Sequence, residues 1–362
     1  EKKLNSTDNL DLIHGEASFT GHKTLLVKKN DGGSETLMSD LIVLDTGTVP
    51  SVPDIEGLET IPYLTSTSIL QLEELPQHLV VIGGGYVGME FAQMYKRFGS
   101  RVTMIIRDAR ILKREDDDIA SEIHKLFEDE DIDIRLNSET LKIRPANGSV
   151  NVIIRSNDKE KTISCSHVLI ATGRKTDTHI LNLSATGVRT DERGFITVDN
   201  KLQTNVKGIL AVGDVNGGPA FTHISYHDHL VIFKNLVHQK DETTDGRMLP
   251  YCMYIDPQLG RVGVTEQEAR SKGIEIQIAR LPMAHVARAI QTGDTRGLMK
   301  AVVDKGSKKI LGAAILGAEG GEITSVIEMA MMGGLTYDQI RDAVFAHPSY
   351  AESLNNLFAS MD

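Results

Sequence analysis

The chain has 362 residues, of which 40% are hydrophobic and 25% charged, and its formal net charge at pH 7 is −11. This length allows several domains with their own cores. The acidic balance argues against a nucleic-acid binder, whose affinity comes from basic contacts to phosphates. No apolar run reaches the roughly 18 residues that cross a bilayer. The only cysteines, Cys165 and Cys252, form no metal-type pattern, which is typical of a reducing setting. We predict a cytoplasmic protein that has no metal site and binds neither nucleic acid nor membrane.

The first 75 residues predict β-structure. Residues 15–29 and 36–47 alternate polar and apolar side chains on either side of a Gly32-Gly33 turn, which predicts a hairpin. The apolar run at 41–44 ends at Asp45-Thr46-Gly47, as a buried strand ends at a turn that faces a ligand. Proline and glycine residues then predict a loop, and a new unit begins near residue 76.

A dinucleotide-binding turn is predicted next. The apolar strand His78–Ile82 leads into the pattern Gly83-x-Gly85-x-x-Gly88, and residues 86–98 have helical periodicity. In this setting the first glycine allows a tight turn, the second lets the backbone approach a pyrophosphate, and the third packs the helix on the strand. The helix N-terminus then favours the phosphates. The alternative is a plain glycine turn without a ligand.

The end of the second strand, Arg101–Ile106, indicates which nicotinamide cofactor is bound. A site for NAD usually has an acidic residue there for the ribose 2′-hydroxyl, whereas a site for NADP has arginine for the 2′-phosphate. The expected acid is absent, and four basic residues stand near this position: Arg107, Arg110, Lys113 and Arg114. We predict NADP, with NAD as the alternative. The bland interpretation is that these are solvated charges compensated by Glu115 to Asp118.

The remaining chain predicts more sheet and then a different architecture. A helix is expected at 116–129. Strands expected to continue the same sheet are 132–136, 141–144, 150–155 and 167–171. A short strand ends at Gly213-Asp214, and a helix follows at 226–237. From about residue 250, strands at 252–255, 275–281, 297–303 and 310–316 precede helices near 320–333 and 337–343, which predicts an α+β domain.

Two further positions carry polar groups that suit a site. Asp214 could accept hydrogen bonds from ligand hydroxyls, although capping a helix is an equally good interpretation of this residue by itself. His347 lies five residues before Glu352, and a histidine oriented by a carboxylate forms a general acid/base pair. By itself, a His-Pro turn before a helix is more often structural.

These motifs in this order resemble the flavoprotein disulfide reductases, which include dihydrolipoamide dehydrogenase and glutathione reductase. The resemblance covers essentially the whole chain. Its motifs are Asp45-Thr46-Gly47, Gly83 to Glu90, Ala171-Thr172-Gly173-Arg174, Ala211 to Val215, Gly260 to Glu266, and His347-Pro348 with Glu352. The resemblance implies an α/β protein with Rossmann-like FAD- and NAD(P)-binding domains and a C-terminal α+β dimerisation domain.

That family organisation implies four segments here. Residues 1–75 would be a remnant of the FAD-binding domain, 76–190 the NAD(P)-binding domain, 191–248 the returning part of the FAD-binding domain, and 249–362 the dimerisation domain. The cofactors would be FAD and NADP, and the protein would be a homodimer.

The family also implies roles for individual residues. Asp214 would bind the FAD ribityl chain, Tyr86 would gate the nicotinamide pocket, and Glu90 would lie near the nicotinamide and the flavin. Arg107 and Lys113 would hold the 2′-phosphate, and His347, oriented by Glu352, would act as acid/base on the partner's thiol. Other backbone positions expected to contact the cofactors are Gly47, Gly83, Gly85, Val87, Gly88, Gly173 and Gly213.

The resemblance also shapes the functional hypotheses. Residues 348–358 and 294–297 look most like the bacterial branch that protects against reactive chlorine species, which includes hypothiocyanous acid reductases. The vicinal cysteines that typically end mercuric reductases are absent. The family's first glycine fingerprint and redox CxxxxC motif are also absent, so we expect an N-terminally truncated chain that is inactive by itself. The alternatives are a flavin-dependent NAD(P)H oxidase or peroxidase, and a non-catalytic nucleotide-binding dimer.

Overall fold

The computed structural model describes residues 1–361, which fall into two compact units. The first unit comprises residues 1–49 and 174–247, and the second comprises residues 50–173 and the chain from Met248 onward. None of the helices among the described residues has the length and apolar character that crossing a bilayer requires. The four segments predicted from the sequence divide the chain more finely than these units and stay a prediction.

The secondary structure follows the chain in this order. The strands are β1 (Gly15–Gly21), β2 (Thr24–Lys29), β3 (Ser34–Met38), β4 (Ile42–Leu44), β5 (Val49–Pro50), β6 (His78–Ile82), β7 (Arg101–Ile105), β8 (Asp133–Arg135), β9 (Ser138–Ala146), β10 (Ser149–Ser156), β11 (Lys159–Cys165), β12 (His167–Ile170), β13 (Arg174–Lys175), β14 (Ile209–Ala211), β15 (Tyr251–Met253), β16 (Gln258–Gly263), β17 (Ile276–Pro282), β18 (Leu298–Asp304) and β19 (Ile310–Gly317). The α-helices are α1 (Lys2–Asn5), α2 (Tyr86–Phe98), α3 (Asp117–Asp129), α4 (Thr222–Val237), α5 (Glu266–Ser271), α6 (Ala287–Thr292), α7 (Gly320–Met332), α8 (Tyr337–Arg341) and α9 (Ser353–Ala359).

In the first unit, β1, β2 and β3 form an antiparallel sheet in sequence order. The turn at Gly32-Gly33 joins β2 to β3, as predicted, but residues 15–29 form two strands and not one, because they fold back on themselves between Gly21 and Thr24. Strand β4 pairs in parallel with β14, so Ile42 lies opposite Ile209 although the two are far apart in sequence. Their buried side chains share a core with Phe19.

In the second unit, a parallel sheet has the strand order β12-β6-β7-β8. Every residue of β6 is buried, since this strand has a neighbour on each side and α2 packs near it. The structure has α2 at the predicted residues, and α3 begins one residue later than predicted. These elements place the glycine turn at the carboxyl end of a central strand, which is where parallel sheets bind ligands.

The sequence led us to expect that residues 141–144 and 150–155 continue the parallel sheet. In the structure, residues 138–165 do not belong to that sheet. Strands β9, β10 and β11 form a separate antiparallel sheet in the order β11-β10-β9. The turn between β9 and β10 contains Asn147 and Gly148, both with positive φ (24° and 80°). Such a tight turn joins antiparallel strands, whereas parallel strands need a long crossover.

The C-terminal part of the second unit is the predicted α+β arrangement. A five-stranded antiparallel sheet has the order β15-β16-β19-β18-β17, and α7 packs against β16 and β19. Strand β16 was not predicted, because it contains two glycines and Arg261, which is buried. Leu354, Leu357 and Phe358 of α9 complete the core of this region.

Candidate functional site

The glycine turn after β6 has one tight side and one open side. Gly83 has φ 122°, and a Cβ added there would lie 2.3 Å from the carbonyl oxygen of Ala171, the residue that follows β12. A Cβ at Gly88 would lie 2.8 Å from the Gly83 oxygen, whereas a Cβ at Gly85 would meet nothing within 4 Å. Gly83 and Gly88 therefore allow the strand and helix to approach each other, and Gly85 leaves a face open.

The start of α2 fits a dinucleotide pyrophosphate. Its N-cap is Gly85, which has no side chain to accept from the first-turn N–H groups, and Val87 in that turn is 39% exposed. Unpaired N–H groups at the positive end of a helix dipole bind phosphate. The residues present thus fit the nicotinamide cofactor, with the open face of Gly85 beside these N–H groups.

The basic residues predicted to hold a 2′-phosphate behave in two ways. Arg110 pairs with Asp117 and also donates to the Lys113 carbonyl oxygen at 2.9 Å, and Lys113 Nζ lies 2.5 Å from Asp108 Oδ1. Arg107 and Arg114 are exposed, and neither makes an ion pair within residues 1–361. The charges of Arg110 and Lys113 are therefore compensated by neighbouring carboxylates. Arg107 is not compensated in this way and is available to bind an anion.

Tyr86 is held by hydrogen bonds at its hydroxyl. This hydroxyl donates to Glu115 Oε1 at 2.6 Å and lies 2.9 Å from the hydroxyl of Tyr251, whose ring centroid is 5.4 Å from that of Tyr86. Burial, followed by the Glu115 charge, raises the pKa of Tyr86 far above its ordinary value. Tyr86 is therefore a neutral hydrogen-bond donor at the start of α2.

Glu90 is one turn further along α2. Its Oε1 accepts the backbone N–H of Tyr254 at 2.7 Å. Burial raises the pKa of Glu90, and the hydrogen bond from Tyr254 lowers it by less. A carboxyl with a raised pKa beside a nucleotide turn is a candidate for a functional group.

A buried cluster of charged residues beside this turn was not predicted from the sequence. Lys300 and Arg261 are each 1% exposed, and both lie near the acidic residues that precede and begin α3. The only signal was the acidic run Glu115 to Asp118, which entered the sequence analysis only as possible compensation for the basic residues before it, the alternative to a 2′-phosphate site. Sequence cannot distinguish a lysine or arginine buried by distant elements from an exposed one.

In the first unit, the polar residues around Gly213 fit a polyhydroxylated chain such as the FAD ribityl group. Asp214 Oδ2 accepts from the hydroxyl of Thr48 at 2.8 Å, and Arg174 Nε lies 3.7 Å from the same oxygen. Oδ1 of Asp214 has no hydrogen bond within residues 1–361 and can accept one. Asp214 does not cap α4, because that helix begins at Thr222 with Phe221 at its N-cap.

Gly213 is required by its surroundings. Its φ is 68°, and a Cβ would lie 2.3 Å from Ser225 Oγ and 2.6 Å from Asp45 Oδ1. Its N–H donates to Asp228 Oδ2 at 2.9 Å. Burial, with further contributions from Asp214 and Asp228, raises the pKa of Asp45. The hydrogen bonds around Gly213 therefore fix a turn whose carboxylates can accept hydrogen bonds from the hydroxyl groups of a ligand.

Two other predicted glycines have open surroundings. Gly47, in the first unit, has φ 66°, and Gly173, in the second unit, has φ 127°. A Cβ at either position would meet no atom within 4 Å. Both positions favour glycine through their backbone conformation alone, and the structure leaves space for a ligand beside each.

His347 and Glu352 form the predicted pair. Nδ1 of His347 lies 3.0 Å from Oε1 and 2.9 Å from Oε2 of Glu352, and the His347 side chain is 65% exposed. The carboxylate fixes the ring, so that Nε2 is the nitrogen free to exchange a proton. This arrangement suits an oriented acid/base.

The two cysteines are poor nucleophiles. Burial raises the pKa of Cys165 to about 12. Burial, followed by the charges of Glu90 and Glu322, raises the pKa of Cys252 to about 11. Neither thiol is in a disulfide. The described residues also contain no cluster of histidine, cysteine or carboxylate side chains suited to a metal ion.

These features define a class of protein. A parallel strand, an open glycine turn and a helix form a pyridine-nucleotide site, a second turn at Gly213-Asp214 suits a flavin, and the antiparallel domain carries an oriented histidine. The class is that of flavoproteins which exchange electrons with a pyridine nucleotide.

The chain belongs to the pyridine nucleotide-disulphide oxidoreductase family. Residues 2–228 match the family model of that description, and residues 249–358 match the model of the family's dimerisation domain. The predicted α/β fold with a C-terminal dimerisation domain is therefore confirmed, as is the resemblance to the flavoprotein disulfide reductases.

Several proteins are similar over nearly the whole chain. The probable pyridine nucleotide-disulfide oxidoreductase RclA of Escherichia coli (strain K12) is 39% identical over 97% of this chain and 79% of its own length. A mercuric reductase of Streptomyces lividans is 35% identical over 95% of this chain and 72% of its own. The solved structure of the HOCl-induced flavoprotein disulfide reductase RclA superposes with a TM-score of 0.93 at 38% identity, over 99% of this chain and 81% of that one.

These similarities confirm the expected class of activity. The homologues are flavin-dependent NAD(P)H disulfide oxidoreductases, so this chain is of an enzyme family that uses FAD and NAD(P)H. The oxidase or peroxidase alternative and the non-catalytic alternative are not favoured. The dimerisation domain indicates a homodimer.

Proposed function

We propose that this protein carries electrons from NADPH through FAD to a redox-active disulfide, and that His347 manages the protons of the resulting thiols. When bound, FAD supplies the two-electron step between nicotinamide and sulfur. The pair formed by His347 and Glu352 supports this function most directly. Both oxygens of the Glu352 carboxylate hold the exposed imidazole, at 3.0 and 2.9 Å. An imidazole held in this way suits proton exchange with a thiol that another subunit brings to it.

The chain's own residues have distinct proposed tasks. The turn at Gly83, Gly85 and Gly88 with the N–H groups of α2, Val87 included, would hold the nicotinamide dinucleotide, and Tyr86 and Glu90 would border its nicotinamide end. Asp214, with the turns at Gly47 and Gly213, would contact FAD, and Gly173 is proposed as a further cofactor-contacting position. We also propose the four-segment division with boundaries after residues 75, 190 and 248.

NADPH is the proposed donor because the second strand of the nucleotide-binding unit, β7, ends without an acidic residue, and Arg107 follows two positions after its last residue, Ile105. This guanidinium is exposed and makes no ion pair among the described residues. Arginine presents its donors in a planar fork that matches phosphate oxygens. Lys113 would assist after giving up its contact with Asp108.

The substrate we propose is an oxidant of the reactive-chlorine class or the disulfide that such an oxidant forms. The support is the similarity to RclA, whose solved structure is described as that of an HOCl-induced flavoprotein disulfide reductase. We further propose that the enzyme is a cytoplasmic homodimer in which His347 acts on the partner's thiol. The raised pKa values and unpaired state of Cys165 and Cys252 suit a reducing compartment.

Replacing His347 tests this function. In the FAD-loaded, full-length enzyme, His347→Ala should lower turnover with a disulfide substrate by about 100-fold, because general acid/base catalysis contributes roughly 10²- to 10⁴-fold. Flavin reduction by NADPH, followed as bleaching of the flavin absorbance in a stopped-flow experiment, should keep its wild-type rate. His285→Ala, in the same segment, is the matched control. Unchanged turnover in His347→Ala, or slowed flavin reduction, would contradict the proposed role.

A further inference from the structure

A buried acidic segment, residues 115–118, connects the nucleotide-binding part of the second unit to the dimerisation segment, residues 249–358. Glu115 and Asp116 are 0% and 2% exposed. Burying carboxylates is costly unless each one is paired or hydrogen-bonded. The partners of these two residues come largely from the dimerisation segment, and none of the roles proposed above uses them.

Glu115 joins the start of α2 to strand β15. Its Oε1 accepts from the hydroxyl of Tyr86 at 2.6 Å and from that of Tyr251 at 2.7 Å. Its Oε2 has no hydrogen bond in the described structure and lies 3.8 Å from Nη1 of Arg261. Glu115 therefore depends on β15 for one of these two hydrogen bonds and on β16 for its counter-charge.

The carboxylate of Asp116 accepts hydrogen bonds from another helix. It occupies the N-cap position of α3 but makes no side-chain cap there. Instead, Oδ2 and Oδ1 accept the N–H groups of Glu266 and Gln267 at the start of α5, each at 3.1 Å. The dimerisation segment thus fixes the backbone where α3 begins.

Lys300 lies at the centre of these charges. Its Nζ is 3.1 Å from Asp116, 2.8 Å from Asp118 and 2.8 Å from Glu266. Arg261 adds a second buried cation, 3.8 Å from both Glu115 and Asp116, whose terminal nitrogens have no hydrogen bond among the described residues. Removing Lys300 would leave Asp116 with only the more distant Arg261 as counter-charge, and removing Arg261 would leave Glu115 with no ion pair among the described residues.

The segment is joined to the glycine turn through the backbone. Glu115 N–H donates to the Leu112 carbonyl oxygen at 2.9 Å, and Leu112 N–H donates to the Gly84 carbonyl oxygen at 3.3 Å. Ile111 and Leu112 are buried, so this end of the loop 106–114 cannot shift independently. The basic side chains proposed for the 2′-phosphate stand on the same loop.

We infer that Lys300, Arg261 and Tyr251 are positioning residues for the 2′-phosphate end of the nucleotide site, acting from the dimerisation segment through residues 115–118 and the loop 106–114. This inference rests on the proposed NADPH site. It makes the selectivity for NADPH depend on residues that do not touch the cofactor. A loop held in place loses less conformational freedom when it binds an anion, and this preorganisation increases affinity.

The test compares the binding of NADP⁺ and NAD⁺ to the FAD-loaded enzyme by calorimetry, because the oxidised nucleotides do not reduce the flavin. In Lys300→Met the dissociation constant for NADP⁺ should rise about tenfold, equivalent to about 1.4 kcal/mol, while that for NAD⁺ changes by less than about twofold. Lys305→Met, which removes an exposed lysine just after β18, should match wild type.

The variant Tyr251→Phe keeps the ring and removes only the hydroxyl, so it serves if Lys300→Met does not fold. This variant should raise the dissociation constant for NADP⁺ about threefold and leave that for NAD⁺ unchanged. A folded variant that binds both nucleotides as wild type does, or that loses affinity for both equally, would overturn the positioning role. A wild-type enzyme that binds NAD⁺ more tightly would instead refute the proposed 2′-phosphate site.

Discussion

Both carboxylate oxygens of Glu352 lie within hydrogen-bonding distance of one ring nitrogen of His347, at 3.0 and 2.9 Å from Nδ1. This contact holds the imidazole in place although its side chain is 65% exposed. A carboxylate that accepts from Nδ1–H favours the tautomer in which Nε2 is the base.

Glu352→Gln should therefore impair catalysis without unfolding the protein. The amide keeps the shape but removes the charge and can donate to Nδ1, which favours the wrong tautomer. We expect turnover with a disulfide substrate to fall about 10- to 100-fold, which is less than the roughly 10²- to 10⁴-fold of general acid/base catalysis because the imidazole itself remains, while flavin reduction by NADPH is unaffected. Steady-state and stopped-flow measurements test this together, with the exposed Glu275→Gln as control. Wild-type turnover in Glu352→Gln would rule out an orienting role.

Arg107→Glu should change the cofactor preference. An acidic residue in place of the exposed guanidinium repels a 2′-phosphate and can accept from a ribose 2′-hydroxyl. We expect NADP⁺ to lose about 1.5–3 kcal/mol of binding free energy, the range for a hydrogen bond to a charged group, and NAD⁺ to become the preferred nucleotide. Calorimetric titrations measure both, and Arg144→Glu provides an exposed control. If NADP⁺ remains preferred, Arg107 does not contact the phosphate.

The charge cluster around Lys300 should make stability sensitive to acid. Burial acts to raise the pKa values of Asp118 and Glu266, but hydrogen bonds and charges from Lys300 and its neighbouring arginines outweigh it and lower both. For a carboxyl with a lowered pKa, the stabilisation is complete above the pKa of the unfolded chain, about 4. It is lost as the pH falls through the lower folded value.

Asp118→Asn should accordingly reduce this dependence. The variant is expected to be less stable than wild type at pH 7, and the difference should shrink as the pH falls below about 4, the pKa of the unfolded chain, and through the lower folded-state pKa, where Asp118 itself becomes protonated. Urea unfolding midpoints across this range measure the effect. Asp54→Asn, at an exposed position, should follow the wild-type curve. A constant difference at every pH would mean that the Asp118 charge contributes nothing.

The sequence by itself determined the elements whose signals are local. The apolar run of β6, the glycines that follow it and the periodicity of α2 lie within about twenty consecutive residues, and each has a direct physical meaning for backbone conformation and burial. The ordered motifs from Asp45 to Glu352 further determined the family. The pair of His347 and Glu352 was also within reach, because its members are only five positions apart.

The tertiary structure alone decided which strands share a sheet and which charges are buried. In the sequence, the apolar pattern of strands β9 to β11 resembles that of the parallel sheet. The pairing of these strands depends instead on turn geometry and on neighbours far along the chain. Lys300 and Arg261 look like ordinary surface residues in the sequence. Their partners Asp116 and Asp118 are 145 to 184 positions away, and only folding brings those carboxylates close enough to compensate a buried cation.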